Sequence, residues 1–581
     1  MTRPSDSPEP KSAGTSGLDR LAVAAALRDI GRLLALEGTN RFRARAYERG
    51  ARAVERLTTD LGSLARAGQL TAVPGIGRAL AATITELVTT GRSEQLERLR
   101  DRFPPGASEL SPVLSLPRIR AVHDALGIVT LDELREACDA GRLRGVRGFG
   151  PTTERRLRER IAALGERRDR VLLPVAVREA AVVIDDLRAH PAVARVEIAG
   201  ALRRRVETID RLDVVVATAD PAGVIEHVAR LPGTTGVYER RPDGVFLARP
   251  ELDASIRVAS DAELAAAWLD ATGSPGHVAA LARRAAERGV VLESVAREVS
   301  HRRPCTESDL YAALGMRFIP PELREDAGEI DAALDGSLPE DLVLPEDIQG
   351  AVHCHTDHSD GRHSVEEMAR AADALGLRYL TITDHSVSAT YARGLDVDRL
   401  RRQWDDIARV QERVRVRLLR GTESDILRDG ALDYPDHVLE RLEVVIASVH
   451  NRHGLDARQM TRRLVRAMRH PIFKIWGHAL GRYVLSRPPF ACDVEEVLDA
   501  VAESRAAIEV NGDPHRLDLE PRWIRSARRR GIRFVVSSDA HSVDGLRNAR
   551  FGVDMARRGW LRRADVLNTL PPDDFAAAVR P

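Results

Sequence analysis

Lysine stands at only two of 581 positions, Lys11 and Lys474, so arginine supplies nearly all of the 88 basic side chains. A folded N-terminal domain without lysine cannot form a lysine Schiff base. Cysteine is almost as scarce. Cys138, Cys305, Cys354 and Cys492 are far apart, which argues against both a disulfide framework and a cysteine-based zinc site. No apolar run approaches the ~20 residues of a membrane span, and the N-terminus lacks a signal peptide's apolar core. No membrane partner is expected, and the expected location is the cytoplasm. Formal net charge is only +1, so the chain is no polycation that holds nucleic acid by bulk charge.

The composition is that of a soluble globular protein, with 43% hydrophobic and 30% charged residues, and the length suggests about three to four domains. Residues 1–17 are rich in Ser, Pro and Gly and too poor in large apolar side chains to fold, so they read as a disordered tail. Helical spacing dominates 18–100, and short helices alternate with Gly-rich turns over 101–170. Over 171–318, helices alternate with the β-like runs VARVEIAG, LDVVVATA, GVFLAR and ASIRVAS. A stretch rich in Pro, Glu and Asp at 319–345 reads as a linker with one short helix. Regular β–α alternation then fills 346–581.

Twelve of the 17 histidines lie after residue 350. Seven strand-like runs in that region each finish near a histidine, an acid or an asparagine: AVHCHT, YLTITDH, VRLLRGTESD, VVIASVH, FKIWGH, AIEVNG and RFVVSSDAH. In a β/α barrel the carboxyl ends of all strands meet on one face, so ligands far apart in sequence would converge. His353 and His355, two residues apart, project from the same side of a strand. One histidine after an apolar run is usually a satisfied buried residue; seven strand ends bearing such groups point to a metal site.

HCHTDHSDG at 353–361, ITDHS at 382–386, GTESDI at 421–426, SVH at 448–450, GH at 477–478 and SSDAHS at 537–542 resemble the polymerase-and-histidinol-phosphatase (PHP) family. The resemblance implies a distorted (β/α)7 barrel with three divalent metals. His353, His355, Glu423 and Asp539 would bind one; Glu423 would bridge to a second, held by His450 and His478; Asp360, His385 and His541 would hold the third. Mixed imidazole and carboxylate ligands suit zinc, manganese or iron better than magnesium. Closely spaced metals can activate a shared hydroxide and clamp both oxygens of a phosphoryl centre. The expected nucleophile is a metal-bound hydroxide held by Glu423, His353 and His355, with Lys474 and Arg482 as phosphate-clamp candidates.

At 73–77, Val-Pro-Gly-Ile-Gly sits between two helical patterns, and Val146-Arg-Gly-Phe-Gly150 forms a second such site. Paired glycines let backbone N–H groups approach a phosphate, and a following helix N-terminus adds a favourable dipole. Gly75, Gly77, Gly148 and Gly150 are therefore candidate contacts to the DNA backbone. ALRDIGRLLALEGTNRFRARAYERGARAV at 26–54 and TESDLYAALGMRFIPPELREDAGEI at 306–330 resemble bacterial PolX-type family X DNA polymerases, which couple helix–hairpin–helix domains, an α+β palm and thumb, and a PHP barrel. The resemblance covers about 19–581 and implies DNA as partner, gapped, nicked or with a 3′ end, and a monomer is expected.

The palm departs from that family's pattern of Gly-Ser, an arginine pair, Gly-Asp-x-Asp and a third aspartate. Here Gly200 is followed by Ala201 in the serine's place, then Arg203 and Arg204. Arg211 stands where the first aspartate belongs, Asp213 keeps the second, and Ser255 replaces the third. Two-metal nucleotidyl transfer needs carboxylates around both ions, so a lost polymerase activity is expected unless Asp210 or Asp253 substitutes. The glycines of a further hairpin are also missing from SLPRIRAV at 115–122, while Thr272-Gly-Ser-Pro-Gly-His277 matches the nucleotide-side turn. The expected activity is a metal-dependent 3′→5′ exonuclease or 3′-end-cleaning phosphoesterase in DNA repair. A gap-filling polymerase with a proofreading barrel and a small-molecule phosphatase of histidinol-phosphatase type are the alternatives.

Overall fold

The computed structural model describes residues 20–581 except 38–40, 56–60, 74–75, 112, 152, 156, 159–160, 162–169, 235, 250 and 452–454. The expected tail at 1–17 and the candidate contact Gly75 lie outside the described residues. The chain divides into two compact units, Met1–Asp169 and Arg170–Pro581.

The first unit is helical. α1 (Arg20–Glu37) and α2 (Arg41–Glu55) bury Val23, Leu27, Ile30 and Leu34 against Tyr47, Ala51 and Val54, the spacing of one helical face. α3 (Leu61–Arg66) leads to α4 (Arg78–Thr90), capped by Gly77 and stopped by Gly91 in the left-handed region at φ 73°. A second cluster gathers Ile119, Val122, Leu134, Cys138 and Phe149. Where SLPRIRAV lacks its glycines, a helix simply begins, with Ser115 as cap and proline in its first turn. Among the described residues no helix is long and apolar enough to cross a membrane.

The second unit opens with a five-stranded palm sheet. Its strands are β1 (Val193–Ile198), β2 (Arg211–Thr218), β3 (Gly236–Arg241), β4 (Gly244–Ala248) and β5 (Asp253–Ala259), in the order β1-β2-β5-β4-β3. β2 and β5 run parallel, with Arg211 opposite Asp253 and Asp213 opposite Ser255. The sequence reading missed β3, because its charged, exposed residues lie at a sheet edge where only one neighbour needs to be matched.

Residues 319–345 are not a loose linker. Ile319, Leu323 and Arg324 are buried. Arg324 reaches Glu307 at 2.8 Å, and Glu329 meets His277 at 2.7 Å. Glu329 is paired with a buried histidine, so composition alone misread the stretch.

The PHP region forms the expected barrel. Its strands are β6 (Gly350–Ala351), β7 (Tyr379–Ile382), β8 (Arg417–Asp425), β9 (Val444–Ser448), β10 (Ile475–Trp476), β11 (Ala507–Asn511) and β12 (Phe534–Ser537). They pair in parallel in chain order. A parallel bridge between Cys354 and Ala540 joins the two ends, and Ala540 N donates to His353 O at 3.0 Å. Val352, Tyr379, Leu419, Ile446, Ile475 and Val535 pack with Phe575 from the C-terminal helix Pro572–Ala578. That apolar plug leaves polar side chains to the carboxyl ends of the strands.

Candidate metal centre and palm face

The carboxyl ends of six strands deliver the nine expected ligands to one place. His353 and His355 follow β6, His385 follows β7, and Glu423 lies in β8. His450 and His478 stand two residues beyond β9 and β10, and Asp539 and His541 follow β12. Asp360 comes from the turn after His355. Glu423 is the hub. Its Oε1 lies 2.8 Å from His478 Nε2 and 3.2 Å from His450 Nε2; its Oε2 lies 2.9 Å from His385 Nδ1 and 3.4 Å from His353 Nε2. Three overlapping sets could each hold a cation: His355, Asp360, His385 and His541; His353, His355 and Asp539; and His385, Glu423 and His450. His478 joins through Glu423. The grouping differs in detail from the expected one, because His355 and His385 each serve two sets.

The imidazole nitrogens test whether these residues suit metal. His353 Nε2, His355 Nδ1 and Nε2, His385 Nδ1, His450 Nε2 and His478 Nδ1 are buried without a hydrogen-bond partner. Leaving such atoms unpaired in the interior is costly, and a shared cation satisfies nitrogens and carboxylates together. Other ring nitrogens are held from behind. His353 Nδ1 meets Glu509 Oε1 at 2.6 Å, and His450 Nδ1 meets Asp425 Oδ1 at 2.5 Å, the carboxylate–imidazole pairing that orients metal-binding histidines. His478 and Asp539 sit at φ 25° and 50°, a strained region for such side chains that concentrates at functional sites.

Charge inside the cluster is polarised. Burial would lift the Glu423 carboxyl, but His450, His353 and His385 hold it well below its usual range. Asp539 is likewise held low against burial by His353, His355 and Arg516. Burial, reinforced by His541 and His385, pushes His355 down to about 3, and burial with Arg516 pushes His478 to about 4. These two rings are thus neutral and keep lone pairs to offer.

Comparison with known proteins gives three family matches: a helix–hairpin–helix domain at 19–93, a DNA polymerase beta thumb at 267–325 and a PHP domain at 351–512. The "DNA polymerase/3′-5′ exonuclease PolX" of Bacillus subtilis is 30% identical over 567 residues, spanning 95% of this chain and 98% of that one. The chain belongs to the bacterial PolX family. A "probable phosphatase" of Caldanaerobacter subterraneus is 30% identical over 201 residues, 32% of this chain and 74% of its own. Another, of Aliivibrio fischeri, is 31% identical over 212 residues, 34% of this chain and 80% of its own.

In this PolX palm, Arg211 Nε lies 2.8 Å from Asp213 Oδ1. Asp213 also packs on Gly200, where an added Cβ would collide with its carboxylate. Of the candidate substitutes, Asp253 Oδ1 accepts from Arg249 N at 3.0 Å, and Asp210 lies 3.7 Å from Arg170. Arg204 donates to Thr272 O and lies 3.1 Å from Glu325. Arg203 pairs with Glu307 and covers the Trp268 ring. The arginine pair joins palm to thumb. Ala201 and Ser255 offer no carboxylate.

Two expected clamps lie elsewhere. Lys474 precedes β10, at the end opposite the histidines, and its buried ammonium donates to Met468 O at 2.8 Å and to His470 O. Arg482 donates to Arg516 O at 2.9 Å and to Leu517 O, and it lies within 3.4 Å of Asp518, Glu520 and Glu207. Neither guanidinium nor ammonium is left over for phosphate. The residues that sequence reading passed over are Glu509, Asp425 and Arg516, whose Nε lies 3.1 Å from Asp539 Oδ2. Strand alternation held a clue for two of them, since Glu509 and Asp425 lie two residues from Asn511 and Glu423 on the same strand faces. In the PolX helical unit, a Cβ placed on Gly77, Gly148 or Gly150 would meet open space, and Gly148 sits at φ 91°. All three of these glycines are exposed.

Proposed function

We propose that this chain is a DNA-processing, metal-dependent phosphodiesterase that trims 3′ ends, acting as a 3′→5′ exonuclease or end-cleaning enzyme on gapped or nicked DNA, with a palm that grips but does not extend. The observation that carries the reading is the contrast between the chain's two potential metal sites. The barrel gathers three carboxylates and six imidazoles, five of which carry unpartnered nitrogens. The palm sets Arg211 against its one remaining aspartate. Placing a guanidinium where a carboxylate belongs alters local charge by two units at the ion's position, which opposes binding of a divalent cation.

His353, His355, Asp360, His385, Glu423, His450, His478, Asp539 and His541 would hold the cations, of zinc, manganese or iron type. When bound, such ions supply Lewis-acid stabilisation of phosphoryl oxygens and an acidified water. The protein's own residues prepare that chemistry. Glu509 and Asp425 fix the tautomers of His353 and His450, and Arg516 holds the Asp539 carboxylate in place. The glycine hairpins and the thumb support DNA as the substrate through contacts to the phosphate backbone.

End-labelled gapped DNA with manganese, with and without all four nucleotides, tests both halves using wild type and His353→Ala. The expected result is shortening from the 3′ end that ignores nucleotides and disappears in the variant. Primer extension by wild type would overturn the palm assignment; cleavage that survives His353→Ala would overturn the barrel assignment.

A further inference from the structure

Beside the metal centre stands an aromatic side chain that none of the ligand chemistry uses. Tyr391 is 66% exposed, the most exposed large hydrophobic residue described. Its ring centroid lies 5.9 Å from that of His385 and 6.1 Å from that of His450. Val387, four residues earlier in the same loop, is 44% exposed. Both side chains stand exposed beside a cluster of imidazoles and carboxylates.

The loop holds Tyr391 firmly. Ala389 N donates to Ser386 O at 3.0 Å, Gly394 N to Ala389 O at 3.1 Å and Leu395 N to His385 O at 2.8 Å. Ser388 meets Asp433 through both its amide, at 2.7 Å, and its hydroxyl, at 2.6 Å. Arg393, at φ 56°, donates to Asp357 O at 3.3 Å and to Ser359 O. Gly394 has no room for a Cβ against the Ser386 carbonyl. Ala389 and Ala392 are each 1% exposed and anchor the turn inward. A fixed, outward aromatic ring with buried flanks is preorganised for stacking.

We propose that Tyr391 is the stacking platform for the base of the terminal nucleotide, and so selects nucleic-acid ends over simple phosphate esters at the PHP site. The inference rests on the DNA-processing reading above. A planar base offers a π-face whatever its identity, so one tyrosine accepts all four bases. A carboxylate or arginine in this position would discriminate by charge; a tyrosine discriminates by the presence of a ring.

The test compares wild type, Tyr391→Ala and Tyr391→Phe as full-length protein. First, single-stranded DNA whose 3′-terminal 2-aminopurine is joined by a hydrolysis-resistant phosphorothioate is bound to the zinc-loaded protein. Wild type and Tyr391→Phe should quench its fluorescence, and Tyr391→Ala should not. Second, with manganese, kcat/KM is measured for an oligonucleotide with a normal 3′ nucleotide and for one with an abasic 3′ end. The ratio of the two should fall about tenfold or more in Tyr391→Ala and stay within about threefold in Tyr391→Phe. Full quenching and an unchanged ratio in Tyr391→Ala overturn the proposal. An equal loss on both ends also overturns it, since the ring would then act only by supporting His385 and His450. If wild type hydrolyses p-nitrophenyl phosphate yet leaves both oligonucleotides intact, the DNA-processing reading itself fails and takes the proposal with it.

Discussion

Glu509 touches no expected substrate position, yet replacing it with glutamine should damage the metal centre in a calculable way. Its carboxylate accepts four hydrogen bonds. Oε1 takes His353 Nδ1 and Ser537 Oγ, both at 2.6 Å. Oε2 takes His478 N at 2.5 Å and Asn511 Nδ2 at 3.1 Å. Burial raises the Glu509 carboxyl, but His353 and His478 bring it below its ordinary value, so it is ionised at neutral pH. A glutamine of the same shape must turn its NH2 toward one of these donor pairs. Facing Oε1's partners, it forces the proton of His353 onto Nε2, the nitrogen directed at Glu423 and Asp539, and removes that lone pair from coordination. Facing Oε2's partners, it opposes the His478 backbone N–H, which cannot reverse. Losing a hydrogen bond to a charged group costs roughly 1.5–3 kcal/mol, so Glu509→Gln should weaken manganese or zinc affinity by about 10- to 150-fold with the fold intact. Chelator competition and elemental analysis measure the affinity and content, and circular dichroism checks the fold. Wild-type affinity in Glu509→Gln, with loss in His353→Ala, would refute the reasoning.

Glu207 reports on acid stability. Arg558 and Arg482 overcome burial and lower its carboxyl to about 2, below an unfolded value near 4.5. Its contribution, on the order of 3 kcal/mol, is present above pH 4.5 and lost as pH falls toward 2; Glu207→Gln should flatten that part of the stability–pH curve in urea titrations. Glu307 pairs with two buried arginines, Arg203 at 2.5 Å and Arg324 at 2.8 Å. Glu307→Gln should destabilise the second unit by about 3–5 kcal/mol, read as a lower denaturant midpoint, and an unchanged midpoint would deny these pairs a stabilising role. Gly77→Asp is sterically free, at φ −83° with open space before it, yet places a carboxylate at the hairpin. DNA affinity should drop several-fold, with a larger drop at low salt; unchanged binding in fluorescence anisotropy would remove that hairpin from the interface.

Much of the barrel was legible because its pattern is repetitive and local. Short apolar runs ending in histidine or acid mark β8 and β9 as strands, and parallel order then sends Glu423 and His450 to one face. Charge pairing was not legible. Lys474 and Arg482 look like free cations in sequence, and only the fold reveals that backbone carbonyls and acids from elsewhere surround them. Arg324 and Glu329 look like linker residues for the same reason: their partners Glu307 and His277 lie 17 and 52 positions away. The absence of palm carboxylates was visible at Arg211 and Ser255, whereas the neighbours of Asp253 and Asp210 required coordinates.

The chain's order alone settled the barrel's strands and which acid or imidazole stands at their ends, since these depend on neighbours a few positions apart. Tertiary structure decided which charges are spent on one another, which nitrogens remain unpartnered, and that Tyr391 stands exposed beside His385 and His450. Those outcomes depend on distance through space, and burial makes each pairing or vacancy matter by several kcal/mol.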